Sequence, residues 1–467
     1  MDALTLARWQ FGITTVYHFF FVPLTIGLSG LVAVLQTIWH RSGNEAFLKL
    51  TKFFGKLFLI NFALGIVTGI VQEFQFGMNW SSYSRFVGDV FGAPLALEGL
   101  LAFFLESTFL GLWIFGWDRL PKRIHLACIW IAAIGTVFSA YFILAANSFM
   151  QNPVGFTYNP VTERAELTDF VAVLTNPVVL VTFPHQIFAC YLVAGAFLVA
   201  VAGWHLWRKP AGDDHRAFRS ALRIGAAVMI VAGAGVAVSG DAQSKVMVEV
   251  QPMKMAAAEA LYETERPASF SILTIGSLDG QHELFSIRIP YLLSFLSTGD
   301  PQGEVKGIRE LQRTYEETYG PGSYSPIIPS TYWTFRLMIG LGMAAVGIGA
   351  LLLWVTRRDR VPRARFWGPV LVALPLLPLF ANSFGWIFTE TGRQPWLVFG
   401  LLPTAAGVSP GTTLTEVAIS LTTFTLLYGA LAVIEVRLLL TYIRAGLPDV
   451  TPPEAKDGEE APLTFAY

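Results

Sequence analysis

The stretch GITTVYHFFFVPLTIGLSGLV, residues 12–32, is apolar and long enough to cross a bilayer, yet it carries an imidazole at His18. A spanning helix needs roughly 20 mostly apolar residues. Comparable runs recur at about 11–38, 53–75, 94–116, 124–148, 180–206, 217–239, 331–355, 368–389 and 412–443. The chain has 467 residues, 54% of them hydrophobic and only 14% charged, with a mean hydropathy of +0.53. That composition excludes an ordinary soluble domain. The fold class it predicts is an all-α polytopic membrane protein with nine transmembrane helices. Residues 1–10 lack a basic region and no small-residue cleavage site follows the first run, so no cleaved signal is expected.

Loop charge gives the orientation. The loops at 39–52, 117–123, 207–216 and 356–367 are rich in Lys and Arg, with five arginines in the last (Arg357, Arg358, Arg360, Arg363, Arg365). The alternate short loops, 76–93 and 390–411, carry one each, Arg85 and Arg393. The positive-inside rule puts the N-terminus outside and the C-terminus inside, as an odd number of spans requires. Residues 1–239 then hold spans one to six, 240–330 form an extracytoplasmic loop, 331–447 hold spans seven to nine, and 448–467 form a Pro/Glu/Asp-rich cytoplasmic tail expected to be disordered. The long loop contains a predicted helix in KMAAAEALYETE, residues 254–265, so it reads as a substrate-handling domain rather than a linker. A net charge of −1 gives no reason to expect nucleic acid. Cys128 and Cys190 lie in apolar runs without a C-x-x-C spacing and read as buried, inert thiols.

Ionisable side chains within a span cost about 2.5–3.5 kcal/mol each and call for partners. Counted from the expected outer surface, His18, Glu98, His185, Met338 and Glu390 all fall in the outer half of the bilayer. Histidine, methionine and carboxylate in one dry site suit heme iron, for which His is the usual axial ligand and a His/Met pair raises the potential. Each has a plainer reading: Met as packing, His18 as an interhelical hydrogen bond, His185 as a partner for a carbonyl freed by Pro184. In ALEGLLAFFLEST, residues 96–108, Glu98 and Glu106 are separated by ~80° and ~12 Å on an ideal helix, a spacing that suits a proton relay extended by Ser107 and Ser139. In GWIFTETGRQPW, residues 385–396, Trp386 and Glu390 share a helix face. Arg393 and Arg336 suit carboxylates such as heme propionates, or plain interfacial snorkelling. Lys254, Glu259 and Glu263 lie on the predicted loop helix, where a solvated charged face competes with a site that bonds quinol hydroxyls.

Taken together, RWQFGITTVYHFFFVPLT (8–25), GIVTGIVQEFQFGMNW (65–80), FGAPLALEGLLAFFLESTF (91–109), ANSFMQNP (146–153), KMAAAEALYETERPASF (254–270), FRLMIG (335–340) and ETGRQPW (390–396) give a chain that resembles subunit I of the cytochrome bd-type quinol oxidases over nearly its whole length. The resemblance implies two hemes b, one low-spin and one high-spin, and a heme d. His185 and Met338 match the low-spin heme ligands. His18 and Glu390 match the axial ligands of the two hemes at the oxygen-reducing centre, and Glu98 a carboxylate at that centre. Glu106, Ser107 and Ser139 match a proton route. Lys254 and Glu259 match the quinol pair in the outer Q loop, and Arg336, Trp386 and Arg393 match motif positions around the hemes. The chain lacks the long Q-loop insertion of some members and resembles the short-loop branch. The family further implies quinol and dioxygen as substrates, a second large subunit, a small single-span subunit in some members, membrane lipid around the bundle, and the bacterial plasma membrane as location. It also implies a proton gradient generated without pumping. A heme b-only quinol oxidase and a heme-free proton-coupled transporter are the alternatives.

Overall fold

The computed structural model describes residues 2–209, 212, 214–277 and 280–450. The tail reading falls outside the described residues from 451 onward. Nine helices among the described residues are long and apolar enough to cross a membrane.

The first is α1 (Ala3–Ser42), capped by Asp2, whose carboxylate accepts from the Thr5 N–H at 2.8 Å, and closed by Gly43 in the left-handed region at φ 67°. Next come α2 (Glu45–Met78) and then α3 (Ser81–Leu97), which runs through a π-helical turn at Glu98–Phe103 into α4 (Phe104–Phe115) as one continuous rod. α5 (Lys122–Gln151) leads through a hairpin of β1 (Phe156–Asn159) and β2 (Arg164–Leu167), and the short α6 (Phe170–Leu174), to α7 (Pro177–Arg208) and α8 (His215–Val250). The long loop follows, with α9 (Pro252–Glu259), a hairpin of β3 (Phe270–Gly276) and β4 (Glu283–Ile289), α10 (Leu292–Thr298) and α11 (Ile308–Tyr319). The last spans are α12 (Ile328–Val355), the pair α13 (Trp367–Ala373) and α14 (Leu376–Thr391), and α15 (Leu414–Ala445); a small hairpin of β5 (Trp396–Val398) and β6 (Leu402–Pro403) precedes the final one.

Three boundaries differ from the sequence reading. The third span starts at Ser81, inside the stretch 76–93 read as a loop, and α8 continues to Val250, past the expected end at 239. In both, the helix carries on with polar residues, which hydropathy does not register but which i→i−4 bonds still support. The loop helix ends at Glu259, because Ala260 turns left-handed at φ 47° and the Leu261 N–H bonds back to the Ala256 carbonyl at 2.8 Å. Leu261 is thereby drawn into a small core with Met255, Ala268, Leu293 and Val305, the hydrophobic contact that accompanies such helix ends. Glu263 therefore lies off the helix and ion-pairs with Arg309 instead.

The dry core occupies the arginine-rich end of the bundle, where Leu28, Leu35, Phe54, Phe58, Trp113, Leu198 and Leu206 are fully buried. Trp113 Nε1 donates to Gln36 Oε1 at 2.7 Å, and His125 sits 2.8 Å from both the Gln36 amide and the Trp113 carbonyl. His125 is thus a satisfied core histidine, and His205 is another, 2.8 Å from the Ile443 carbonyl. Both cysteines are free and buried, as read. Helices α1 and α7 approach closely at Gly27, where an added Cβ would lie 2.4 Å from the Cys190 carbonyl oxygen and 2.5 Å from Ala194 Cβ. Small residues permit such contacts between membrane helices.

Gly27→Val is expected to force this pair apart and lower stability by about 1–3 kcal/mol, read as a reduced thermal midpoint in detergent. Gly429→Ala, at a position with nothing within 4 Å, is the control and should leave the midpoint in place.

Candidate functional site

The half of the bundle nearest the long loop encloses a cavity of about 2060 Å³. Ordinary small-molecule pockets are roughly 300–1,000 Å³, so this space accommodates more than one large planar group. His18, Glu98, His185, Met338 and Glu390 all line it. The five residues grouped by depth in the sequence are therefore brought to one chamber from five separate spans.

Each imidazole is held the same way. His18 Nδ1 lies 2.8 Å from the Thr68 hydroxyl on α2, and His185 Nδ1 lies 3.2 Å from the Ser239 hydroxyl on α8. Both hydroxyls are anchored in turn: Thr68 donates to the Gly65 carbonyl at 2.9 Å and Ser239 to the Gly235 carbonyl at 2.6 Å. Fixing Nδ1 leaves Nε2 as the coordinating atom, the arrangement seen at metal-bound histidines. Glycines make room beside three of the donors. An added Cβ would lie 3.2 Å from His18 Cε1 at Gly69, 3.4 Å from His185 Cε1 at Gly240 and 2.8 Å from Met338 Sδ at Gly385.

Glu390 closes α14. Its Oε1 accepts from Asn147 Nδ2 at 3.0 Å and its Oε2 pairs with Arg393. Trp386, one turn earlier, packs its ring 5.9 Å from Phe19 and 6.2 Å from Phe11, forming an aromatic wall with α1. Glu98 sits at the start of the π turn and accepts from Ser139 Oγ at 2.6 Å. The π turn lies between Glu98 and Glu106, so the ideal-helix offset of ~80° does not carry over; both carboxylates still line the cavity, together with Ser139. Ser107 does not join them: it is exposed on the outer side of α4, and its hydroxyl bonds at 3.4 Å to the Phe104 carbonyl of its own helix.

The loop contributes two buried charges. Lys254 Nζ donates to Gln151 Oε1, and burial pulls its ammonium down from 10.5 to about 7, with Arg393 acting in the same direction and Glu390 against it. Glu259 accepts from Arg336 Nη2 at 2.7 Å and from the Ser271 N–H at 2.9 Å. Burial nonetheless holds its carboxyl above the usual range, with Arg336 pulling back. The two residues face opposite ways from α9. Glu259 lines the large cavity, whereas Lys254 lines a separate void of about 10 Å³. One ring cannot touch both without a rearrangement.

Sequence reasoning missed Asn147, Gln151, Thr68 and Ser239, uncharged residues whose roles depend on partners in other helices. It also missed Glu73, which lines the cavity; its signal was a carboxylate at the end of the second apolar run.

The donor set fits heme. Among the described residues no three His, Cys, Asp or Glu side chains come close enough to hold a bare metal ion. Donors placed singly suit a group that brings its own four equatorial nitrogens. Arg336 Nε and Nη1 and Arg393 Nη1 are buried without partners, so donors able to take propionate oxygens border the same space.

Sequence and structure comparisons point one way. The profile of the family described as cytochrome bd terminal oxidase subunit I matches residues 6–447. The chain is 47% identical over 449 residues to cytochrome bd ubiquinol oxidase subunit 1 of Bacillus subtilis, covering 96% of this chain and 94% of that one. It is 37% identical over 503 residues to cytochrome bd-II ubiquinol oxidase subunit 1 of Escherichia coli, covering 95% and 97%. The solved bd oxidase of Geobacillus thermodenitrificans superposes with a TM-score of 0.85 at 28% identity, covering 95% of this chain and 99% of that one.

The lowered Lys254 pKa sets a pH dependence. Between about pH 7 and pH 10.5 the unfolded chain keeps a proton on this amine that the folded protein has released, so this group's contribution to stability rises with pH through that window. The thermal midpoint relative to Lys254→Met should climb across the same interval. A constant difference would show that the amine stays charged when buried.

Proposed function

The chain belongs to the cytochrome bd terminal oxidase subunit I family, and from that premise we propose a residue-level account of how it serves as the heme-bearing subunit of a membrane quinol oxidase. It is an oxidoreductase of respiratory electron transport, with quinol as reductant and a second subunit as partner. A small single-span subunit and surrounding lipid complete the proposed assembly in the bacterial plasma membrane.

The observation that carries the account is the convergence of two imidazoles, a thioether and a carboxylate from four spans on one chamber. His185 and Met338 would hold a low-spin heme b. His18 and Glu390 would each hold one heme of the oxygen-reducing centre, a high-spin heme b and a heme d, with Glu98 beside them. When bound, these groups supply one-electron transfer and the site of dioxygen reduction to water. Arg336 and Arg393 would neutralise propionates, and Trp386 would pack against a macrocycle.

The chain's own side chains handle the protons. Glu259, kept proton-hungry by burial, is suited to take a quinol hydroxyl proton at the long loop. Glu106 lies about two turns closer to the arginine-rich end than Glu98, and the Ser139 hydroxyl fixes Glu98. We assign this pair to proton uptake; Ser107, off the cavity, would take part only from the interface side of α4. With the arginine-rich end inside, quinol protons leave outside while those for water enter from inside. A gradient then forms without a pump.

Met338→Leu tests the ligand assignment. The purified oxidase should lose its low-spin heme signature while retaining the high-spin bands. An unchanged spectrum removes Met338 from the ligand set. The donor atoms do not distinguish heme b from heme d at the second centre, so a pyridine hemochrome assay of the wild type should return both heme types; heme b alone would overturn that part of the assignment.

A further inference from the structure

A chain of four side chains joins the loop to Glu390. Lys254 Nζ donates to Gln151 Oε1, Gln151 Nε2 donates to Asn147 Oδ1 at 3.0 Å, and Asn147 Nδ2 donates to Glu390 Oε1 at 3.0 Å. Asn147 and Gln151 are i, i+4 on α5, so they stack on one helix face. The polarity of the chain follows from its ends. An ammonium can only donate and a carboxylate can only accept. Both amides therefore have a single orientation that satisfies every bond, although O and N of an amide are otherwise hard to tell apart.

The loop end is anchored independently. Gln251 Nε2 donates to the Gln151 backbone carbonyl at 2.8 Å, and the Lys254 stem packs on Gly392, where an added Cβ would lie 2.7 Å from Lys254 Cγ. Gln151 is 6% exposed and Lys254 3%, so water does not compete for these bonds. The opposite oxygen of Glu390 is held by Arg393. The carboxylate is thus clamped from both sides, and one side of the clamp leads back to the loop.

We propose that Asn147 and Gln151 are positioning residues that fix the Glu390 carboxylate and make its placement depend on the seating of Lys254. The proposal rests on Glu390 being a heme ligand. A displacement of Lys254 on quinol docking would release Gln151 and then Asn147, so the loop would act on the oxygen-reducing centre through hydrogen bonds alone.

The test uses the whole purified oxidase. Gln151→Leu and Asn147→Leu should each shift or deplete the high-spin heme band that Glu390→Ala removes, leave the His185/Met338 band in place, and cut kcat by about 10–100-fold, the usual effect of removing a ligand's supporting bond, without a matching rise in quinol KM. Lys254→Arg, which keeps a donor, should retain more of that band than Lys254→Met. If the leucine variants fail to assemble, Gln151→Glu keeps the shape, removes the amide donor and is read the same way. A wild-type high-spin band in Gln151→Leu and Asn147→Leu, or in Gln151→Glu, overturns the proposal. If Glu390→Ala leaves every heme band intact, it is the ligand reading that has failed, and the proposal falls with it.

Discussion

A polar side chain inside a lipid-facing bundle must find its partner within the protein, because hydrocarbon offers none. That constraint organises this molecule. Thr68 serves His18, Ser239 serves His185, Ser139 serves Glu98, and Asn147 serves Glu390. Every partner stands on a different span from the group it serves. The bonds that aim the candidate ligands are therefore the bonds that tie α1 to α2, α7 to α8, and α5 to both the π turn and α14. Moving one helix would misdirect a donor, and losing one donor would leave its hydroxyl or amide unsatisfied.

The bundle divides its labour along its length. At the arginine-rich end, Leu, Phe and Trp side chains fill the interior, and the polar groups there, such as Gln36 and His125, saturate one another. At the other end the helices stand around a chamber, with glycines where a methyl group would strike a candidate ligand. The densely packed half gives the rigidity with which the other half can hold several large groups at fixed separations. The folded loop roofs this half. Its buried ion pair between Glu259 and Arg336 joins α9 to α12 near Met338, with the guanidinium 4.8 Å from both Phe270 and Tyr332.

Much of this was legible in the sequence. Apolar runs reveal spans because the bilayer leaves little choice, and charges inside such runs stand out because they are costly; hence His18, Glu98 and Glu390 could be singled out. Span ends were misplaced at Ser81 and Val250 because a helix can outrun the apolar stretch that marks it. Ser107 was grouped with Glu106 by adjacency, although neighbours on a helix point ~100° apart. Asn147 and Gln151 went unnoticed because an amide in a span has no distinctive pattern; only its partners on other helices give it meaning. The end of the loop helix depended on where Leu261 found a core, a tertiary fact that local propensity does not contain.

The π turn at Glu98–Phe103 has a consequence for how this span could change over time. A π turn holds one residue more than the α-helical turn it replaces, so it acts as an insertion absorbed without breaking the rod. Deleting a single residue there would let the segment relax to ordinary α-helix and rotate everything beyond it by about ~100°. Glu98 would stay in register with Ser139, while Glu106 and its close contact with Gly135 would swing to another face. The phase between the two carboxylates is thus set by residue count rather than residue identity, and a one-codon loss would alter it where no point substitution could.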